Sequence, residues 1–176
     1  MANLDELVVQ FQEGDLEALD VIYQAYKDPL YRFVYRYTAN EQLSIDVVQD
    51  TFEKLQRSKN YYQAEKGSFK TYLFQIAYNT MRTKLKRQQL FNKYLPFLKE
   101  AYFAKTAAIS QVEKLTVQSA VQKLPEEMRA VILLTYYHDM PQKEIAAILN
   151  IPIGTVKSRL YRALKILKAE LEVDGE

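Results

Sequence analysis

PQKEIAAILNIPIGTVKSRLYRALKILK, residues 141–168, decides how this chain is read. Its first ten residues spell a short amphipathic helix with Ile145, Ile148 and Leu149 inward, and with Ala146 small enough to let a second helix cross closely. Asn150 tolerates the left-handed conformation that ends a helix, Pro152 forbids continuation, and Gly154 and Thr155 open the next helix. There Val156, Leu160, Leu164, Leu167 and Leu171 step by four, four, three and four, which predicts one buried stripe. Lys157, Ser158, Arg159, Tyr161, Arg162 and Lys165 lie off it, and residues 151–168 hold five basic side chains and no acid. Short helix, tight turn and basic helix make the helix-turn-helix pattern, whose second helix enters the major groove and reads base edges. A solvated basic face on an ordinary helical hairpin gives the same local pattern, so an independent feature has to separate the two.

Composition narrows the alternatives. The 176 residues are 48% hydrophobic, enough for one compact domain or two small ones. Without cysteine the chain can form no disulfide, thiolate metal site or cysteine nucleophile, and a single histidine, His138, removes most zinc and hydrolytic chemistry. No catalytic residue, metal, cofactor or small-molecule substrate is therefore expected. No apolar run approaches the ~20 residues that span a bilayer, and residues 1–10 (MANLDELVVQ) carry acids where a secretory signal carries bases, so a cytoplasmic protein is expected. The net charge of +2 hides a strong asymmetry: residues 1–60 are net −5, whereas residues 61–90 and 154–168 are each net +5. Two basic clusters far apart in sequence create local fields that attract polyanions.

Helical spacing runs through nearly the whole chain, with only 4 Gly and 5 Pro and no alternating strand runs, which predicts an all-α protein. Gly14 and Asp15 supply a break and a cap; Leu19, Ile22, Tyr23 and Tyr26 then share a face that Leu30, Phe33, Val34 and Tyr37 continue after Pro29. The next helix is expected from about Ser44, with Ile45, Val48, Phe52 and Leu55 as its core stripe. A looser stretch ends at Gly67, and a further helix is expected from Phe69 to Gln89 with Phe69, Leu73, Ile76 and Ala77 inward. Residues 91–111 contain Pro96 and no clean periodicity and read as a linker. A second helical set follows from Val112, broken at Leu124-Pro125, between His138 and Pro141, and between Asn150 and Pro152. The expected architecture is thus two small helical domains, residues 1–90 and 112–176, the second a helix-turn-helix.

The first basic cluster supplies the independent feature. Tyr72, Gln75, Asn79, Arg82 and Lys86 fall at steps of three, four, three and four on one face, while Tyr61, Tyr62, Lys66 and Lys70 lead into it. Duplex phosphates need only cations; unpaired bases need flat stacking surfaces and amides that bond a base edge. Duplex reading at one end and single-strand stacking at the other point to promoter recognition and melting.

On DVVQDTFEKLQR (46–57), GSFKTYLFQIAYNTMRTKLKRQ (67–88) and LPEEMRAVILLTYYHDMPQKEIAAILNIPIGTVKSRLYRALKILK (124–168), the chain resembles a bacterial RNA polymerase sigma factor of the extracytoplasmic-function (ECF) group, a stress-response class. The resemblance implies that Asp46, Gln49, Asp50, Glu53 and Arg57 dock on the clamp helices of the polymerase β′ subunit and that the C-terminal domain meets the β flap. It implies that residues 60–68 and Asn79 capture an unpaired base of the −10 element. It also implies that Thr155, Lys157, Ser158, Arg159, Tyr161, Arg162 and Lys165 face the −35 major groove, and that an anti-sigma factor, often membrane-anchored, is a partner. The family usually has Trp at Tyr72, Asp at Thr83, and Ser or Thr at Pro141. Two other classes share parts of the pattern: a conventional helix-turn-helix repressor or activator, which would not need the acidic stripe, and a protein-binding helical adaptor, which would need neither basic cluster.

Overall fold

The computed structural model describes residues 4–94 and 117–173, and every regular element among them is helical. The N-terminal half holds α1 (Leu4–Glu13), α2 (Leu16–Thr38), α3 (Glu41–Arg57), two 3-10 turns (Lys59–Tyr61 and Ala64–Lys66) and α4 (Phe69–Tyr94). The C-terminal half holds α5 (Val117–Lys123), α6 (Glu126–Tyr136), α7 (Gln142–Leu149) and α8 (Ile153–Val173). The expected linker lies outside the described residues from 95 onward.

Local chemistry sets the helix ends. The Asp15 carboxylate accepts from the Glu17 amide at 2.8 Å and caps α2, which runs unbroken through Pro29. Ala39 ends α2 in the left-handed region, and Asn40 caps α3 by accepting from the Leu43 amide at 2.9 Å. That cap starts α3 at Glu41, ahead of the expected Ser44, whose buried hydroxyl donates back to the Asn40 carbonyl. Asn150 adopts φ 52° and ψ 51° as read from the sequence, the Ile151 amide closes onto the Ala146 carbonyl at 3.1 Å, and α8 departs after Pro152.

Three expected faces are corrected. Ile45 is 46% exposed; α3 buries Leu43, Val47, Val48, Thr51, Phe52 and Leu55, because it is covered by α2 on one side and α4 on the other. Leu164 and Leu171 are exposed as well, the buried line of α8 being Val156, Ala163 and Leu167 with Leu160 half-buried. With 21 residues α8 outruns its partners α5, α6 and α7, which have 7, 11 and 8, so among the described residues one side of its far end is left uncovered while Glu170 still pairs with Lys123 of α5 at 3.0 Å. Tyr23 is also partly exposed, and α4 continues five residues past Gln89, with Leu90 and Phe91 in solvent.

The two halves dock. Tyr37 donates its hydroxyl to the Glu126 carbonyl at 3.2 Å, and Arg129 donates to the Tyr37 carbonyl at 2.8 Å. Gln118 and Gln122 both donate to the Arg36 carbonyl at the end of α2. His138, in the turn between α6 and α7, sits edge-on to Phe33 and Phe74 at 5.7 and 5.0 Å. Both phenylalanines are fully buried, each contributing about 3 kcal/mol by area.

Candidate nucleic-acid interface

On α8 the first turn carries no acid, so its positive dipole end and its cations act together on an anionic partner. Lys157, Tyr161, Arg162, Lys165 and Lys168 are exposed on the outer face, Tyr161 at 72%. Thr155 and Ser158 are half-buried beside them, and the Ser158 hydroxyl donates to the Thr155 carbonyl at 3.1 Å. Arg159 departs from this set. Its guanidinium turns back to Glu127 on α6 at 3.0 Å and is only 21% exposed. Steps of 100° per residue put Arg159 beside the buried line, where a carboxylate is nearer than solvent.

On α4 the expected −10 residues fall along one line divided by the contact of α7 on α4. Tyr61, Tyr62, Lys66 and Tyr72 line a recess of about 240 Å³ on one side, which Gln75 and Ala147 close. Tyr62 packs edge-on against Phe69 at 5.3 Å and tilts against Tyr72 at 5.5 Å, and the Tyr72 hydroxyl bonds that of Ser58 at 3.0 Å. Both rings are thus held in place, burial keeping the Tyr62 phenol above its ordinary pKa and neutral, while Tyr61 stands 79% exposed. Beyond the contact, Asn79, Arg82 and Lys86 line a groove of about 600 Å³ with Thr83 and Gln89. Lys70 and Gln75 are already committed, Lys70 donating to the His138 carbonyl at 2.8 Å and Gln75 to the Ala147 carbonyl at 3.1 Å.

On α3 the acidic stripe is split. Gln42 donates to Asp46 at 3.0 Å, Gln49 donates to Glu53 at 3.4 Å, and Arg57 and Glu53 form an exposed pair at 3.9 Å. Asp50 points to α4 and pairs with Lys84 at 2.8 Å. Sequence reasoning missed the groove beside this stripe: about 700 Å³ between α2 and α3, lined by Leu16, Leu19, Tyr23, Ile45, Val48 and Phe52, with Gln49 and Glu53 on its rim. The available signal was the apolar surplus on α3, since Ile45 and Phe52 together widen the stripe beyond what one neighbour covers.

Comparison with known proteins decides what these surfaces belong to. The profile of Sigma-70 region 2 matches residues 22–91, and that of Sigma-70 region 4 matches residues 114–167. The chain belongs to the sigma-70 family. Among its relatives is the ECF RNA polymerase sigma factor SigW of Bacillus subtilis, 28% identical over 93% of this chain and 94% of that protein. The ECF RNA polymerase sigma-E factor of Escherichia coli is likewise 28% identical, over 94% of this chain and 93% of that one. CnrH, solved in complex with the cytosolic domain of CnrY, superposes with a TM-score of 0.71 at 26% identity over 96% of each chain. This sigma factor is therefore of the ECF group, an RNA polymerase subunit for transcription initiation. The region 2 match runs from within α2 to within α4, and the region 4 match takes in α5–α7 and ends within α8.

Proposed function

We propose a division of labour for this sigma factor in which residues 1–90 bind core RNA polymerase and open the −10 element, residues 112–176 read the −35 element, and residues 91–111 tether the two. The reading rests above all on two lines of different chemistry on separate halves: rings, amides and cations along α4 and the loop before it, exposed at Tyr61, Lys66, Asn79, Arg82 and Lys86 and half-buried at Tyr62, Tyr72 and Gln75, and an exposed cationic face on α8. On α8, Lys157, Ser158, Tyr161, Arg162 and Lys165 face the −35 groove with Thr155 at its edge, while Arg159 reaches DNA only after releasing Glu127. On α4 and the loop before it, Tyr61, Tyr62, Tyr72 and Asn79 stack on and bond unpaired −10 bases, with Lys66, Lys70, Gln75, Arg82 and Lys86 along the strand. On α3, Asp46, Gln49, Glu53 and Arg57 meet the β′ clamp helices beside the apolar α2–α3 groove, with Asp50 at the inner margin; the C-terminal domain meets the β flap.

The factor performs no chemistry itself: binding free energy from captured bases, gained while both DNA sites are tethered to polymerase, drives strand opening. It acts in the cytoplasm; among the described residues no helix is long and apolar enough to cross a membrane. An anti-sigma factor is a partner, supported by the likeness to CnrH, which was solved with CnrY, and a membrane anchor on that partner would hold the complex at the bilayer. Gel filtration with purified core polymerase, followed by run-off transcription from genomic DNA, tests the whole: co-elution and discrete transcripts are expected. Operator binding without core polymerase and no transcripts would overturn the reading in favour of a conventional repressor.

A further inference from the structure

The turn between α6 and α7 carries the chain's single histidine into the seam between the two domains. His138 is 8% exposed, its ring lies edge-on to Phe33 of α2 and Phe74 of α4, and its Nε2 has no hydrogen-bond partner among the described residues. Its own carbonyl accepts from Lys70 of α4. Arg36 of α2 stacks on neighbouring Tyr137 at 4.3 Å, and Arg32 of α2 is close enough to act on the imidazole. Three cations therefore face this ring from both helices it plugs, and among the described residues the carboxylate opposing them is the exposed Asp139 of its own turn.

We propose that His138 is a proton-operated plug: neutral, it holds region 4 against α2 and α4; protonated, it releases region 4 and opens the seam. A cationic imidazole here would sit poorly solvated between two phenyl rings, with one N–H unmatched and like charges alongside, so protonation works against closure. Burial, reinforced by Lys70 and Arg36, pushes the closed-state pKa down to about 4. An open seam returns the ring to water and to about 6.5. The open state then binds the proton more tightly, so closure weakens as pH falls through about 6.5, and the loss levels off below about 4. Between pH 7.5 and 5.5 the open-to-closed ratio rises about tenfold. Lys70 and Arg129, which also bond across the seam, stay cationic over this range, and Tyr37, raised by burial, stays neutral.

Opening frees Lys70 and Gln75, which matters for promoter capture only if the proposed −10 reading holds; the distance between domains reports on the plug alone. Because the chain has no cysteine, Glu17→Cys and Ala169→Cys place one dye on each domain of the full-length protein. Energy transfer is read at pH 7.5, 6.5 and 5.5, with far-UV circular dichroism at each point. The wild-type background should shift about tenfold toward the open state while its helical signal is unchanged. His138→Leu and His138→Gln, neutral at every pH, should each show a flat response, so that poor folding of one leaves the other as the control. An equal pH response in the wild type and a folded variant, or no response in the wild type, would overturn the plug. So would loss of helical signal at pH 5.5, because release would then be unfolding.

Discussion

Replacing Arg129 with Met keeps the apolar stem and removes one guanidinium that serves two helix ends. Nη1 donates to the Tyr37 carbonyl at 2.8 Å near the C-terminus of α2; Nη2 donates to the Leu124 carbonyl at 3.0 Å and to that of Gln122, at the end of α5. The same group stands 5.3 Å from the Tyr37 ring centroid. Helix C-termini carry partial negative charge and unpaired carbonyls, so this cation neutralises both. A hydrogen bond to a charged group contributes about 1.5–3 kcal/mol, but three bonds sharing one donor group are not additive, and half-exposure lets water replace part of them. A total near 3 kcal/mol follows, about one third of it on the bond that crosses between domains. For a chain of this size 1 kcal/mol moves Tm by about 2–4 °C, so Arg129→Met should melt roughly 6–12 °C lower by circular dichroism, with a proportionate fall in the urea midpoint. Arg129→Lys should fall between the two, since one ammonium cannot fork across three carbonyls. Lys123→Met, which breaks only an exposed pair with Glu170, should change stability by less than about 1 kcal/mol. If Arg129→Met melted within 2 °C of the wild type, the shared-cation account would be wrong.

Arg162→Ala should leave the melt unchanged and weaken promoter binding by about 1–3 kcal/mol, concentrated at one −35 base pair, as measured with holoenzyme on a set of single-substitution promoters. Lys165→Ala should instead weaken all sequences alike and reduce the slope of log affinity against log salt by about one. Tyr61→Ala, at an exposed ring, should lower permanganate-reactive thymines at a cognate promoter by the equivalent of about 1–3 kcal/mol without loss of core binding; unchanged opening would remove Tyr61 from the base-capture set. Gln49→Lys with Glu53→Lys should abolish co-elution with core polymerase while sparing the fold. These two project to solvent, whereas reversing Asp50 would also repel Lys84 and confuse docking with stability. Asn150→Val should destabilise by about 1–2 kcal/mol, since a β-branched residue cannot rest at φ 52°, and Asn150→Gly should not; equal melts for both would refute the left-handed turn.

What the sequence by itself determined was local. The caps at Asp15 and Asn150, the stops at Pro125 and Pro152, and the apolar spacing of Ile145, Ile148 and Leu149 depend on atoms within a turn or two of each other, and residue types alone predict such contacts. The all-helical class and the helix-turn-helix were legible for that reason, as was the outward side of Lys157, Tyr161 and Lys165. Tertiary structure alone decided which flank of each stripe is covered. Periodicity gives the direction of an apolar face but not how many helices pack on it, nor how far along they reach, so Ile45, Leu164 and Leu171 read as core and stand in solvent. Polar residues near an edge have the same freedom: Arg159 turns to Glu127, Asp50 to Lys84, and Lys70 and Gln75 to carbonyls more than sixty residues away. His138 shows the difference most sharply, since nothing near it in sequence indicates Phe33 and Phe74; only the docking of two separately legible domains brings a lone imidazole between two phenyl rings and keeps water out.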